Sequence, residues 1–165
     1  MNYLRSIRFI KNDYVEFLRL WHPIRDYVNC YKNEKGELEC VVKGPCFSAM
    51  QFEIYLLEII NEVYFRMKYN YDDLLASAKR RLDEKIKKMQ DGTYTFRFAE
   101  FGCRRRLSRE WQEYMVHEFV TRTKNCVGTS NVYLAKKFKI TPIGTYAHEF
   151  VQMYQGFSDI PLAYT

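Results

Sequence analysis

Three apolar runs in the carboxyl-terminal part of this chain end in glycine and lead directly into polar residues and a predicted helix. The junctions begin at Gly102, Gly128 and Gly144. If the three runs are parallel strands, their loops emerge at the same edge of one sheet, where the carboxyl ends of such strands meet. Arginines, small hydroxyl groups and a histidine would then lie together, a set that suits an anionic, phosphate-bearing ligand.

The first junction carries three consecutive arginines, Arg104, Arg105 and Arg106, between a predicted strand and a predicted helix. Their guanidinium groups and the free amides of the helix could both face an anion. A solvated loop is the equal alternative, since alternate side chains of a triplet point in different directions. Phe101, at the end of the strand, could be either a core residue or a stacking platform for a flat ligand.

The other two junctions each pair glycine with threonine at the start of a predicted helix, at Thr129 and Thr145. Glycine lets a ligand approach the backbone, and threonine adds a hydroxyl donor. His148 follows three residues after Thr145 and lies beside Glu149, which could orient it. The imidazole of His148 could act as a nucleophile, and a capping or surface histidine is the alternative when the segment is considered alone.

A hairpin and a long apolar helix are predicted in the first part of the chain. Residues 27–31 and 37–42 flank a turn-forming segment, so we expect an antiparallel hairpin. Residues 47–68 form a predicted helix in which apolar residues cover most of the surface, and we expect it to be largely buried. Only a narrow polar stripe interrupts this surface, at Gln51, Glu58, Glu62 and Arg66.

A second long helix is predicted from Asn70 to about residue 91, with Asn70 as its cap and acidic residues in the first turn. One face is apolar and the opposite face carries charges of both signs. No aromatic residues interleave with these charges, so a solvated surface explains the face better than binding to nucleic acid. The apolar face consists of Leu75, Ala78, Leu82, Ile86 and Met89, and the charged face of Lys79, Arg80, Glu84, Lys85 and Lys88.

From residue 93 onward, strand, loop and helix recur three times, with strands predicted at 94–101, 125–127 and 139–143. The predicted fold class is α+β / α/β, with a mixed amino-terminal β-hairpin and helical region in residues 1–92 and parallel β/α units in residues 93–165. A closed β/α barrel takes eight units and about 250 residues. We therefore expect only the first units of an incomplete barrel.

Length and composition, 165 residues of which 47% are hydrophobic, allow a sizeable core. The formal net charge of +6 permits a polyanionic partner without requiring one. The five cysteines lack CxxC spacing, and there is no signal peptide or apolar run of spanning length. We predict a reduced, cytoplasmic protein with no membrane segment and no structural zinc.

Residues 101–110, 127–131 and 142–149 resemble, in the same order, the signature blocks of the nicotinate phosphoribosyltransferase family. The resemblance implies a type II phosphoribosyltransferase β/α barrel and a place in NAD biosynthesis. It also implies the reaction of nicotinate with phosphoribosyl pyrophosphate to give nicotinate mononucleotide and pyrophosphate. Mg²⁺ and coupled ATP hydrolysis through a phosphohistidine are further implications of the family, and no metal ligands are identified in this chain.

The resemblance also implies roles for individual residues. His148 matches the histidine that ATP phosphorylates and Thr145 a threonine near nicotinate, whereas Phe101 matches a ring that stacks on the pyridine. Arg104 matches a catalytic arginine at the phosphoribosyl site. Ser130 stands where the related nicotinamide enzymes have an aspartate, which fits an acid substrate. The neighbouring block residues Arg105, Arg106, Thr129 and Asn131 are assigned to the same substrate site.

The chain also departs from the family pattern. Cys103 stands where threonine is usual. The amino-terminal Asp-x-Tyr-Lys and later Ser-Gly-Asp segments are absent, and the first of these lies at a dimer interface in the family. The resemblance therefore implies a central fragment, inactive alone, of an enzyme that is a homodimer at full length. The alternatives are a non-catalytic nucleotide-binding or assembly module and an RNA-binding protein.

Overall fold

The structure is a computed structural model that describes residues 1–145 and 148–156. The helices are α1 (Asn2–Arg5), α2 (Asn12–Leu20), α3 (Cys46–Ala49), α4 (Phe52–Lys68), α5 (Tyr71–Gln90), α6 (Arg109–Arg122), α7 (Val132–Phe138) and α8 (His148–Gly156). The strands are β1 (Val28–Lys32), β2 (Leu38–Val42), β3 (Phe98–Glu100), β4 (Cys126–Thr129) and β5 (Thr141–Pro142), and single 3₁₀ turns lie at Arg25–Tyr27 and Cys103–Arg105. No described helix is both long and apolar enough to cross a membrane.

The predicted hairpin is confirmed, because β1 and β2 pair in antiparallel register from Val28 opposite Val42 to Lys32 opposite Leu38. Asn33 forms the turn between them. Its side-chain oxygen accepts hydrogen bonds from the backbone amides of Lys35 (3.0 Å) and Glu37 (2.9 Å), which is the local turn chemistry that favours asparagine here. Gly36 supports the turn with a φ of 81°, a conformation that glycine adopts at little cost.

The second sheet is parallel, with the strand order β3-β4-β5. This confirms the predicted series of parallel β/α units, whereas closure into a barrel stays a prediction. The first strand is shorter than predicted. The side-chain amide of Asn125 donates to the carbonyl oxygens of Tyr94 (3.0 Å) and Phe96 (2.8 Å), so side-chain hydrogen bonds replace a strand ladder over that part of the segment.

The main core lies between α5, α6 and the parallel sheet. Leu82 and Ile86 from α5 meet Phe119 from α6, and the ring of Phe98 contacts that of Phe119 edge to face at 4.9 Å. Met89 packs against the same cluster. The predicted apolar face of α5 is therefore confirmed by its central residues, and the charged residues predicted on the opposite face are all exposed.

Asparagine and serine side chains cap three helices, including α5, whose Asn70 cap is confirmed. The Asn70 side chain accepts from the amides of Asp72 and Asp73 at the start of α5. Ser108 accepts from Trp111 at the start of α6, and Asn131 accepts from Leu134 at the start of α7. The latter two caps fix where the helices begin after β3 and β4, and thereby fix the lengths of the strand-end loops.

The prediction that α4 is largely buried is wrong for this chain. Only Phe52 is buried along α4, while apolar side chains such as Ile59, Val63 and Met67 are exposed, Met67 by 83%. Part of the polar stripe faces inward instead, because Glu58 pairs with Arg106 in the loop that follows β3, whereas Arg66 of the same stripe is exposed. This ion pair holds the polar side of α4 against the loop that follows β3. The apolar side of the helix therefore faces outward.

Candidate active site

The carboxyl ends of the three parallel strands lie together at one edge of the sheet, as predicted. The Ser130 amide, just after β4, donates to the carbonyl oxygen of Glu100 at the end of β3 (2.9 Å). The Ile143 amide, just after β5, donates to the carbonyl oxygen of Thr129 (3.0 Å). A Cβ on Gly128 would collide with the Thr141 carbonyl oxygen and lie 2.6 Å from the Ile143 Cδ1 atom, so this close approach of β4 and β5 requires glycine.

A buried carboxylate, Glu100, links the ends of β3 and β4. The Thr129 hydroxyl donates to one of its oxygens at 2.7 Å, and the Gln112 side-chain amide lies 3.0 Å from both oxygens. The Gly102 backbone amide donates to the carboxylate as well, and a Cβ at that position would lie 2.6 Å from it. Glu100 thus has several donors in a site that excludes water, which satisfies the requirement for hydrogen bonding of buried polar groups.

The arginine triplet is divided between the interior and the surface. Arg106 turns inward with a side chain only 10% exposed, and its Nη2 atom lies 3.0 Å from the Glu58 carboxylate of α4. Its Nη1 atom donates to the Gln112 side-chain oxygen at 3.0 Å, which joins the ion pair to the Glu100 cluster. The Arg106 Nε atom is buried and has no hydrogen-bond partner among the described residues.

Burial changes the acidity of two groups in this cluster. Loss of solvent raises the pKa of the Glu58 carboxyl, and the positive charges of Arg106 and Arg109 oppose this effect only partly. Burial also raises the pKa of the Cys103 thiol, whose sulfur lies 3.5 Å from the Gln112 side-chain oxygen. Cys103 therefore serves as a neutral, weak donor at the position where a threonine hydroxyl is usual in the family pattern.

Arg104 and Arg105 lie on the outside of the same loop. Arg104 is exposed and its Nη1 atom lies 2.6 Å from the Glu53 carboxylate. The Arg104 carbonyl oxygen accepts from the Asn61 side chain at 2.8 Å, which anchors the loop to α4. Arg105 is exposed, and its guanidinium forms no ion pair with a described residue. An exposed ion pair is weak, so Arg104 can exchange Glu53 for another anion at little cost.

A cleft of about 520 Å³ opens beside this loop. Its polar wall is built from the arginine loop, the start of α6, the loop after β4 and one residue of α4, and its apolar lining comes mainly from α1, α2, α4 and α7. The residues of the polar wall are Glu58, Cys103, Arg106, Arg109, Gln112, Glu113, Ser130 and Asn131. Of the predicted site residues, the structure therefore brings Arg106, Ser130 and Asn131 together at one cavity.

The remaining predicted site residues do not line this cleft. The Phe101 ring is 48% exposed, so it is available to a ligand and is not a core residue in the described chain. Thr129 is fully buried, with its hydroxyl between Glu100 and the Asn131 amide. Thr145 is exposed, and His148 is exposed at the first position of α8. The side chain of Glu149 lies outside the described residues, so its predicted orienting role stays a prediction.

The sequence of this edge matches a known family. Residues 96–162 fit the family model described as the nicotinate phosphoribosyltransferase family. The nicotinate phosphoribosyltransferase of Acinetobacter baumannii is 42% identical over 163 residues, which cover 94% of this chain. The chain belongs to the nicotinate phosphoribosyltransferase family. A relative of the same name from Neisseria gonorrhoeae is 41% identical over the same share of the chain.

Solved nicotinate phosphoribosyltransferases share the fold. The structure from Vibrio cholerae superimposes with a TM-score of 0.82 at 26% identity, over 98% of this chain and 41% of that chain. The structure from Porphyromonas gingivalis gives a TM-score of 0.81 at 24% identity, over 94% of this chain and 39% of that chain. The chain likewise spans 40% of the length of the curated nicotinate phosphoribosyltransferases named above.

Sequence reasoning missed three residues that organise the site: Glu58, Glu100 and Gln112. The signal for Gln112 was present, because it falls four residues before Val116 on the side of α6 that carries the buried Phe119. A polar residue at such a position implies buried partners. For Glu58, the ion pair with Arg106 joins residues 48 positions apart (106 − 58), and no local pattern reveals it.

Proposed function

We propose that this chain supplies part of the substrate site of a nicotinate phosphoribosyltransferase, which joins nicotinate to phosphoribosyl pyrophosphate and releases pyrophosphate. The observation that carries the proposal is the cleft lined by Arg106 and Ser130, at the edge where the parallel strands end, with the exposed Arg104 on the same loop as Arg106. The names of the relatives support the same reaction. This proposed reaction is the step that would place the protein in NAD biosynthesis.

The arginines have different tasks in this proposal. Transfer from the ribosyl carbon develops positive charge at the sugar while pyrophosphate departs, so positioning and charge neutralisation govern the rate. Arg104 is the catalytic arginine, because it is exposed and can exchange Glu53 for a phosphate oxygen. Arg106 holds the loop in place through Glu58 and Gln112. Arg105 provides a further exposed positive charge.

The nicotinate ring has a proposed place at the adjacent loop ends. The exposed ring of Phe101 can stack on the flat pyridine. Thr145 offers a hydroxyl at the end of β5, and Ser130 faces the cleft where a carboxylate would repel an acid substrate. Asn131 and Thr129 shape this loop, since the Thr129 hydroxyl accepts from the Asn131 amide at 3.0 Å. A direct contact of Thr129 with substrate would require its hydroxyl to leave Glu100.

Coupling to ATP is proposed through His148, which is exposed at the start of α8 and matches the family histidine that ATP phosphorylates. Phosphorylation would place about two negative charges near the loop ends and could reorganise them. Mg²⁺ would accompany the phosphates, but the described residues do not form a site for it. They contain no group of three or more His, Cys, Asp or Glu side chains able to hold a metal ion, and Glu58 and Glu100 are committed to protein partners.

Binding of phosphoribosyl pyrophosphate tests the phosphate part of the proposal. We expect Arg104→Ala to weaken binding, measured by titration calorimetry, by about tenfold or more, because a charge-assisted hydrogen bond is lost. Lys124→Ala is the matched control. It removes one exposed positive charge just before β4, at the opposite edge of the sheet, and we expect the affinity to stay unchanged. Equal affinities in the two variants would overturn the role of Arg104.

Two further measurements separate the finer roles. Ser130→Asp should weaken binding of nicotinate and leave binding of nicotinamide unchanged, since only nicotinate is repelled. Transfer of labelled phosphate from ATP should give an acid-labile adduct that His148→Asn abolishes. We also expect no formation of nicotinate mononucleotide by the 165-residue chain alone. Turnover by that chain would refute the prediction that it is inactive alone, but it would support the proposed reaction.

A further inference from the structure

Two cysteines, Cys30 and Cys40, lie directly opposite each other in the antiparallel hairpin of β1 and β2. Cys30 is exposed and Cys40 half-buried, so reagents can reach the pair. All five cysteines of the chain lie within its described part and none forms a disulfide. The hairpin is not part of the polar wall of the cleft, so the pair is not explained by the proposed function.

The backbone hydrogen bonds show which kind of cross-strand pair this is. The Asn33 amide donates to the Glu37 carbonyl oxygen at 2.9 Å, and the Lys43 amide donates to the Tyr27 carbonyl oxygen at 2.8 Å. Hydrogen-bonded and non-hydrogen-bonded pairs alternate along an antiparallel ladder. The pairs of Asn33 with Glu37 and of Tyr27 with Lys43 are therefore hydrogen-bonded. Cys30 and Cys40 lie three pairs from each of them, so their pair is non-hydrogen-bonded.

This kind of pair has a geometry that suits a disulfide. The Cα atoms of non-hydrogen-bonded pairs are about 4.5 Å apart and their side chains are the closer of the two kinds. Disulfides bridge Cα atoms separated by about 4.4 to 6.8 Å. A bond between the two sulfur atoms of Cys30 and Cys40 therefore needs only local adjustment, without a change of register.

The register that opposes the two cysteines is fixed from both sides. On the turn side, the Asn33 side chain holds the amides of Lys35 and Glu37. On the other face of the hairpin, the Tyr31 hydroxyl donates to the Glu39 carboxylate at 2.6 Å, across the neighbouring pair. A slip by one residue would break these contacts, so the two thiols stay opposite each other in the folded chain.

We propose that Cys30 and Cys40 form a reversible disulfide, a modification site that reacts with small-molecule disulfides such as oxidised glutathione. The thiolate of Cys30, the more exposed cysteine, attacks the small disulfide, forms a mixed disulfide and releases one glutathione thiolate. Cys40 then attacks the Cys30 sulfur, forms the bond between the two cysteines and releases the second glutathione. Two protein thiols become one disulfide, one glutathione disulfide becomes two glutathione thiols, and the two protons pass to the departing thiolates.

The acidity of Cys40 agrees with this order of attack. Its contact with Cys30 and, secondarily, its burial raise the pKa of Cys40 to about 11, so this thiol keeps its proton at neutral pH. The larger cause disappears once Cys30 is part of a mixed disulfide. Cys40 then loses its proton more readily and can act as the resolving thiol.

The test is oxidation of the folded chain by glutathione disulfide, followed by alkylation and mass spectrometry. We expect loss of two of the five thiols and a disulfide between the tryptic peptides 26–32 and 36–43. The same reaction in 6 M guanidinium is the reference, because there Cys46 competes with Cys30 for Cys40 through a shorter loop. Folding should raise the ratio of the Cys30 to Cys40 linkage over the Cys40 to Cys46 linkage by about tenfold or more.

The variants Cys30→Ser and Cys40→Ser should each lose the two-thiol reaction and keep a mixed disulfide with glutathione at the remaining cysteine. Cys46→Ser is the matched control and should still form the Cys30 to Cys40 bond. Far-ultraviolet circular dichroism shows whether each variant folds, and the wild-type linkage map stands without any variant. Separate glutathione adducts on Cys30 and Cys40 in the folded wild-type chain, or the same linkage ratio with and without guanidinium, would overturn the proposal.

Discussion

Replacing Thr129 with valine should destabilise the chain far more than the similar size of the two side chains suggests. Thr129 is 0% exposed, and its hydroxyl donates to the Glu100 carboxylate at 2.7 Å while accepting from the Asn131 amide at 3.0 Å. A hydrogen bond to a charged group contributes about 1.5 to 3 kcal/mol and a neutral one about 1 kcal/mol. Valine removes both, so we expect the free energy of unfolding to fall by about 2 to 4 kcal/mol.

Thr129→Ser is the control for this change. Serine keeps the hydroxyl and loses one buried methyl group, which costs about 1 kcal/mol. The assay is urea unfolding of both variants and the wild type, followed by circular dichroism, with comparison of midpoints at equal slopes. If valine were no more destabilising than serine, the hydrogen bond from Thr129 to Glu100 would not hold β3 to β4. A loss of phosphoribosyl pyrophosphate affinity in the valine variant, without loss of stability, would instead favour the predicted contact of this hydroxyl with substrate.

Three further outcomes follow from individual contacts. Gly128→Ala should cost about 2 kcal/mol or more in urea unfolding, because its Cβ would collide with the Thr141 carbonyl oxygen and separate β4 from β5. Burial raises the pKa of Glu58 above its usual 4.5, so its contribution to stability is present below pH 4.5 and is lost as the pH rises through the raised pKa. Glu58→Gln, which can still accept from Arg106, should flatten the unfolding free energy over that window, and an unchanged pH profile would contradict the assignment. Met67→Ser, at an exposed position of α4, should change stability by about 0.5 kcal/mol or less, and a larger loss would mean that this face is covered.

The local features of the fold could be predicted from the sequence, and the reason is that their causes are local. Asn70, Ser108 and Asn131 each cap a helix with their own side chain, a contact that spans two or three residues. The hairpin follows in the same way from the turn chemistry of Asn33 and Gly36. Such contacts leave a signature in spacing and residue type, which is why the hairpin, the parallel strands and the capped helices were predicted. The short helix α1 was not predicted, and the single helix predicted over residues 47–68 is divided into α3 and α4.

The orientation of α4 and the buried cluster could not be predicted in this way. A helix with one narrow polar stripe is expected to turn that stripe to water. Here Glu58 of the stripe pairs with Arg106, and Glu53, beside the stripe on α4, pairs with Arg104. Each of these pairs joins residues roughly 50 positions apart, so neither periodicity nor propensity indicates it. The resemblance implies a functional role for the arginine loop, but it does not indicate which acidic residues contact that loop.

This contact explains why consecutive arginines can have different roles. Arg106 loses water on turning inward, and one carboxylate and one amide oxygen compensate for only part of that loss, because the buried Nε atom has no partner among the described residues. Arg106 instead fixes the position of the loop, because its buried guanidinium group has directed hydrogen-bond partners and can adopt few alternative positions. Arg104 then projects from a fixed backbone, with its carbonyl oxygen held by Asn61 and its guanidinium on an exposed, exchangeable carboxylate. A loop held in place, with a releasable charge at its surface, suits the phosphate binding and ribosyl transfer that we propose.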